Sequence, residues 1–218
     1  MNTKNKSFSR ENIKNFYNKE ANIRDSKSIK PDWKINVRQK FLNIISMENK
    51  KTLLEIGAGA GYDSLFFMDN GLDVIAIDFS AEMVKKCIEK NIKTYELDFY
   101  NLSSLNKKFD CIYSLNNILY VPKNDLPKVF MEINSVLNTN GLFYMGLYGG
   151  NNTDTEKELV INDVTDIPLP IAFHSEDYLK SILEKYFKII NFKIIDIDNK
   201  KDLDFVIFYS IILRKIKE

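Results

Sequence analysis

What the chain has little of narrows the field first. One histidine and two cysteines in 218 residues provide no metal-ligand spacing. Cys87 and Cys111 lie inside apolar-periodic segments, so neither a zinc site nor a disulfide framework is indicated, and no metal is expected. Neither sign of charge is in excess: 31 Lys+Arg stand against 30 Asp+Glu, a formal charge of +1, so no global field favours nucleic acid. The pairs Lys85-Lys86 and Lys107-Lys108 read as solvated faces and turn tips. Long hydrophobic runs are missing: the longest, residues 205–213, has strand length, and residues 1–14 are polar, which disfavours a membrane span or a signal peptide. A soluble cytoplasmic protein with neither nucleic-acid nor membrane partners is the expectation.

The remainder is ordinary globular material, 44% hydrophobic and 28% charged, enough for one full core. Two amphipathic stretches come first. Ile13, Phe16, Tyr17 and Ala21 share one helical face and Ile35, Phe41, Leu42 and Ile45 another, with Pro31-Asp32 as break and helix start. Residues 1–50 are expected to form a helical lid on a domain at 51–218. From Thr52, short apolar runs alternate with helical patterns, the mark of βαβ units and a parallel sheet. The expected strands are 52–56, 73–77, 93–97, 109–115 and 142–148, the last entered through an Asn140-Gly141 turn. Helices are expected at 63–70, ending at Gly71, after the cap Ser80, along Leu126 to Val136, and after Ser175.

Residues 151–173 lack periodicity and carry Pro168 and Pro170, which suggests an irregular lid or binding loop. Two more strands follow at 189–197 and 205–213. Asn199 to Asp202 is too short for a crossover, so these pair antiparallel. The predicted fold is α/β: a Rossmann-like, seven-stranded, mostly parallel sheet with an antiparallel C-terminal strand and helices on both faces.

Chemistry concentrates where strand one ends, at Leu54-Glu55-Ile56-Gly57-Ala58-Gly59-Ala60-Gly61. Glycines let a backbone turn tightly and approach a ligand, and the following helix offers free N–H groups. A dinucleotide fingerprint requires G-x-G-x-x-G; here the third glycine comes one position early, which argues against NAD or FAD. Asp78 closes strand two, where a carboxylate can accept from both ribose hydroxyls of an adenosine, with Phe79 beside the base. Asp98 closes strand three, positioned for an adenine amino group, with Phe99 against the ring. Each alone is a turn or cap residue; the conjunction carries the reading.

With these motifs the sequence resembles the class I S-adenosylmethionine-dependent methyltransferases, over about residues 52–213. The resemblance implies S-adenosyl-L-methionine as cofactor, with Gly57, Ala58 and Gly59 at its methionine part, Gly61 a further cofactor residue of the loop, Asp78 at the ribose, Asp98 and Phe99 at the adenine, and Glu55 as the acid before the glycines. The run Ile118-Leu119-Tyr120-Val121-Pro122 and Gly141-Leu142-Phe143-Tyr144 look like a bacterial small-molecule subgroup. There a His commonly stands at the position of Tyr120, so a histidine mechanism is not carried over, and a tyrosine that orients the acceptor or simply packs is the local reading.

Methyl transfer is an in-line displacement, and positioning can supply about 7 to 11 kcal/mol of it, so a strong base is not obligatory. His174 is the candidate general base, with a surface or capping role as its other reading. Asn116 and Asn117, after strand four, would border cofactor or acceptor. Tyr17, Trp33 and Arg38 would close over the site, Arg38 on a carboxylate. Tyr120, Tyr148 and Phe173 would line the acceptor pocket together with Tyr17 and Asn117. The Asn- or Asp-Pro-Pro-aromatic motif of DNA-base amino methyltransferases is absent at Ser114-Leu115-Asn116-Asn117. The expected function is methyl transfer to an O or N atom of a small molecule. A cofactor- or partner-binding relative without transfer is the alternative, and a nicotinamide-dependent reductase a more distant one.

Overall fold

The computed structural model describes residues 9–27, 31–149, 154–160, 165–196 and 207–216. Its helices are α1 (Arg10–Ser26), α2 (Asp32–Met47), α3 (Tyr62–Asp69), α4 (Ala81–Glu89), α5 (Leu126–Val136) and α6 (Glu176–Leu183). Its strands are β1 (Thr52–Ile56), β2 (Asp73–Asp78), β3 (Thr94–Glu96), β4 (Phe109–Leu115), β5 (Leu137–Gly149), β6 (Thr155–Leu159), β7 (Leu169–Phe173), β8 (Phe187–Asp196) and β9 (Ile207–Lys215). Seven of them form one sheet in the order β3-β2-β1-β4-β5-β9-β8. The pairs from β3 through β5 are parallel, and β9 runs antiparallel to both β5 and β8. The reversed final strand expected from the sequence is therefore present; residues 199–202, its expected connection, lie outside the described residues.

Burial on both faces explains the central strands. Leu53 and Leu54 are both buried yet point to opposite sides, as successive strand residues must. Leu54, Ile112, Phe143 and Ile211 meet α5 and α6 on one face. Leu53, Cys111, Tyr113 and Tyr144 meet α2 and α3 on the other. There Phe41 of α2 packs against Phe67, Tyr113 and Tyr144, and the last two rings stack at 4.8 Å. The second N-terminal helix is thus fastened to the sheet by aromatic packing. No helix among the described residues is long and apolar enough to cross a membrane.

The helix starts follow their caps: the Ser80 and Ser175 hydroxyls accept from Met83 N (3.2 Å) and Tyr178 N (3.3 Å). Gly71 takes the left-handed conformation, φ 84°, that ends α3. Two expectations change. β5 begins at Leu137, not Leu142, because α5 passes directly into the strand; Asn140-Gly141 forms an irregularity within it, where the β4–β5 register shifts between Phe109 and Cys111. The segment 151–173, expected to be irregular, contains β6 and β7, which pair antiparallel as a separate two-stranded sheet. β7 is buried along its whole length, packing Leu169, Ile171 and Phe173 against Phe16, Leu119 and Tyr120. Pro170 is compatible with this because β7 is an edge strand with one neighbour.

Candidate cofactor and acceptor site

Beyond the carboxyl ends of β1, β2 and β4 lies a cavity of about 550 Å³, roofed by α1, within the range usual for small-ligand sites. The glycine loop forms its floor. Gly57 N and Ala58 N donate to Ile77 O at 2.8 and 3.0 Å, which straps the loop to β2. Gly57, at φ 67°, has no room for a Cβ, which would overlap the Asn117 amide. That amide donates to Ile56 O at 2.6 Å, so Asn117 lines the cavity as a brace behind the loop. Gly59, at φ 55°, has nothing within 4 Å of where its Cβ would be, leaving a backbone cradle open to a ligand. Gly61 differs from the expected role: it is not on the cavity wall. It caps α3 in the left-handed conformation, where a Cβ would come within 2.5 Å of Ile92 Cδ1, so the early third glycine serves helix packing.

Asp78 receives Gly59 N on Oδ2 and Ser80 N on Oδ1, each at 2.8 Å. Burial raises its pKa above the usual carboxylate range against the pull of those amides. Each oxygen keeps a further lone pair for a hydroxyl donor. Glu55 is buried and accepts from the Ser64 hydroxyl. Asp98 caps the short helix Phe99–Leu105, taking Tyr100 N at 2.9 Å, and its other oxygen is held by Arg10 of α1. Phe79 and Phe99 line the cavity as expected, and the Arg10 guanidinium lies 5.3 Å from the Phe79 ring centroid. Asn116 adopts φ 60°, and its Oδ1 is buried on the cavity wall without a hydrogen-bond partner among the described residues.

The roof and floor meet at two tyrosines: Tyr17 OH of α1 and Tyr120 OH lie 2.5 Å apart. Burial pushes both phenols above their ordinary pKa, Tyr120 well above it, so the pair is protonated at neutral pH. One hydroxyl donates to the other, leaving a single O–H for a ligand.

Besides Gly61, five expected site residues, His174, Arg38, Trp33, Tyr148 and Phe173, lie off the cavity wall. His174 is 1% exposed, off the cavity wall, with its ring 5.8 Å from Tyr178; β7 carries it into the layer beneath α6. Burial pushes its pKa down to about 4, so it is neutral and remote, unsuited to a general base. Tyr148 packs on Phe208 and Trp33, and Phe173 belongs to the cluster under β7. Arg38 donates to Asp63 Oδ1 at 2.7 Å and lies over Phe66 at 3.9 Å, so its charge is spent within the protein. The residues that sequence reasoning missed are Arg10, Glu20 and Arg24, all on the cavity face of α1. Their signal was the helical spacing they share with Ile13 and Tyr17, on a stripe read only for its apolar members.

A His174 consequence is testable. The unfolded histidine titrates near 6.5 and the folded one near 4, so the unfolded chain binds more protons between those values and stability falls as pH drops through that window. Relative to His174→Leu, wild type is expected to lose about 3 kcal/mol between pH 6.5 and 4, read from denaturant midpoints. Methyl transfer at pH 7.5 should differ less than about two-fold between the two proteins.

Residues 53–141 match the family model of the methyltransferase domain. Among curated relatives, the chain is 34% identical over 95 residues to a malonyl-[acyl-carrier protein] O-methyltransferase of Hamiltonella defensa, covering 43% of this chain and 36% of that protein. It is 25% identical over 126 residues to a glycine/sarcosine N-methyltransferase of Halorhodospira halochloris, covering 52% and 47%. The chain thus spans less than half the length of either. Among solved structures, the 1,6-didemethyltoxoflavin-N1-methyltransferase of Burkholderia thailandensis, with S-adenosylhomocysteine bound, superposes with a TM-score of 0.69 at 13% identity, covering 95% of this chain and 88% of that one. An S-adenosylmethionine-dependent methyltransferase of Clostridium acetobutylicum gives 0.67 at 17%, covering 93% and 100%. At these identities the structural likeness is one of fold.

Sheet order, glycine loop and strand-end acids together give the class I methyltransferase fold, and residues 53–141 match a methyltransferase domain. The residues present fit S-adenosyl-L-methionine as a cofactor. The open cradle at Gly59 and the unpartnered Asn116 Oδ1 suit the methionine part, Asp78 the ribose, and Phe79 and Phe99 the adenine.

Proposed function

We propose that the protein transfers the methyl group of S-adenosylmethionine to an O or N atom of a small-molecule acceptor in the cytoplasm. The observation that carries this reading is the Gly59–Asp78 geometry inside a cavity roofed by α1, which favours a small acceptor over a macromolecular one. When bound, the cofactor supplies an electrophilic methyl group on a sulfonium. The chain's own residues bind and align: the loop amides and Asp78 fix the adenosyl end, and the Tyr17–Tyr120 hydroxyls orient the acceptor. Within residues 1–50, α2 is the fixed part and α1 the cover. α1 is held by Phe16 packed against β7 and by polar contacts such as Arg10–Asp98 and Lys90–Asp25, and the polar contacts can break and re-form for exchange.

The test is transfer of tritium from methyl-labelled S-adenosylmethionine to the low-molecular-weight fraction of a bacterial extract. Label in that fraction, lost in Asp78→Asn, is expected; label only in protein or nucleic acid would overturn the acceptor class, and binding without label would leave a cofactor-binding protein. With an acceptor in hand, Tyr120→Phe should lower kcat/KM about 2- to 10-fold, the worth of one neutral hydrogen bond, and leave S-adenosylhomocysteine affinity unchanged.

A further inference from the structure

Charge on the cavity wall is balanced everywhere but at one end. Arg10 and Asp98 answer each other, as do Glu20 and Arg24. Asp63 is held by Arg38, Glu55 by the Ser64 hydroxyl and Asp78 by two backbone amides. Lys27 and Lys34, where α1 ends and α2 begins, also line the cavity, and neither ammonium has a carboxylate partner among the described residues. Lys34 is held in place nonetheless. It is half-buried, and its ammonium lies 5.2 Å from the Trp33 ring centroid and 5.1 Å from that of Tyr148, a cation–π seat. The seat is itself packed, since Trp33 and Tyr148 both rest on Phe208. Tyr148 belongs to β5, which β1 and β4 separate from β2 and β3 in the sheet. The acids assigned to the adenosyl group stand at the ends of β2 and β3, so the unanswered charge stands at the other end of the cavity, where the acceptor must enter. The Tyr17–Tyr120 pair adds one further donor, a single O–H.

We infer that the acceptor carries an oxyanion, a carboxylate or a phosphate, which Lys34 anchors at the β5 end of the cavity. A neutral acceptor would leave the Lys34 ammonium to water, and a cationic one would meet like charge. Lys34, half-buried, gives the oxyanion a charged hydrogen bond. Lys27 is exposed, so it adds only a screened attraction that fades with salt. The inference rests on the transfer reading above and names the acceptor's class within it.

The test uses the full chain, methyl-labelled S-adenosylmethionine and the low-molecular-weight fraction of a bacterial extract, split beforehand on an anion exchanger at pH 7.5. Acceptor capacity is expected in the retained fraction, eluted with salt and desalted. With that fraction limiting, Lys34→Gln should slow transfer by about ten-fold or more, the worth of one charged hydrogen bond. Lys27→Gln should slow it by about two-fold, an effect that added salt removes. Excess retained fraction should bring Lys34→Gln back to the wild-type maximum rate, and its S-adenosylhomocysteine affinity should equal that of wild type, which shows an intact fold and cofactor site. Alkaline phosphatase treatment of the retained fraction abolishes its capacity if the oxyanion is a phosphate monoester and spares it if it is a carboxylate. Capacity in the unretained fraction, or an unchanged rate in Lys34→Gln at limiting acceptor, overturns the anchor. A loss of S-adenosylhomocysteine affinity in Lys34→Gln also overturns it, because the lysine would then serve the cofactor. If wild type binds S-adenosylhomocysteine but labels neither fraction, the transfer reading itself fails and the anchor falls with it.

Discussion

Asp78→Asn is expected to cost at least about 100-fold in S-adenosylhomocysteine affinity. Two ribose hydroxyls donating to a carboxylate contribute about 1.5 to 3 kcal/mol each, and each 1.4 kcal/mol is about ten-fold. The amide cannot substitute cleanly. The carboxylate already accepts from Gly59 N and Ser80 N on its two oxygens, so the NH2 group that replaces one oxygen must face one of these donors. A thermal scan shows the effect directly. At about 100 times its Kd, a ligand adds about 2.7 kcal/mol, or about 5 to 10 °C for a domain of this size. Wild type should show that rise with S-adenosylhomocysteine and the variant none at the same concentration. Because burial raises the Asp78 pKa, affinity in wild type should also weaken as pH falls through that raised value, where the carboxylate takes up a proton and stops accepting on one oxygen. The unliganded protein responds in the opposite sense: its folded state holds the proton more tightly than the unfolded chain, so this group's contribution to stability improves as pH falls below the raised value.

Gly57→Ala and Gly59→Ala are expected to separate stability from binding. At Gly57 the added methyl overlaps the Asn117 amide and displaces its 2.6 Å bond to Ile56 O. A left-handed alanine costs about 1 to 2 kcal/mol and a buried unpaired polar group about 1 to 3. A loss of about 3 kcal/mol, or about 6 to 12 °C in Tm, follows, with cofactor binding lost as well. At Gly59 the space is open, so only the backbone strain applies, about 1 to 2 kcal/mol. Yet the methyl group enters the cradle, and binding should fail in a protein that still melts cooperatively. Equal Tm losses in the two variants would mean that Gly59 is a packing glycine and that the cradle is misassigned.

The parts of this molecule legible in the sequence are those fixed locally. β1 and β4 have the bounds expected from their apolar runs, because central strands buried on both faces keep most of their positions apolar until they end. Gly57, Gly59, Asp78 and Asp98 were found for a related reason: each sits at the end of a strand, where topology alone brings them together. What remained hidden depends on partners distant in sequence. β6 and β7 pair with each other and bury β7 against Phe16 and Tyr120, a contact that no periodicity within 151–173 announces. His174 looked available because it precedes a helix cap, yet β7 carries it beneath α6. Arg38 looked free, yet Asp63, 25 residues away, holds it. Glu20 and Arg24 are polar positions of α1 that only the docking of that helix over the glycine loop turns inward.

The most direct test is a calorimetric titration of the full wild-type chain with S-adenosylhomocysteine and, separately, with NADH. The expected result is saturable one-to-one binding of S-adenosylhomocysteine and no saturable binding of NADH. Tight NADH binding with no heat from S-adenosylhomocysteine would contradict the assignment of the glycine loop and Asp78 to an adenosylmethionine site.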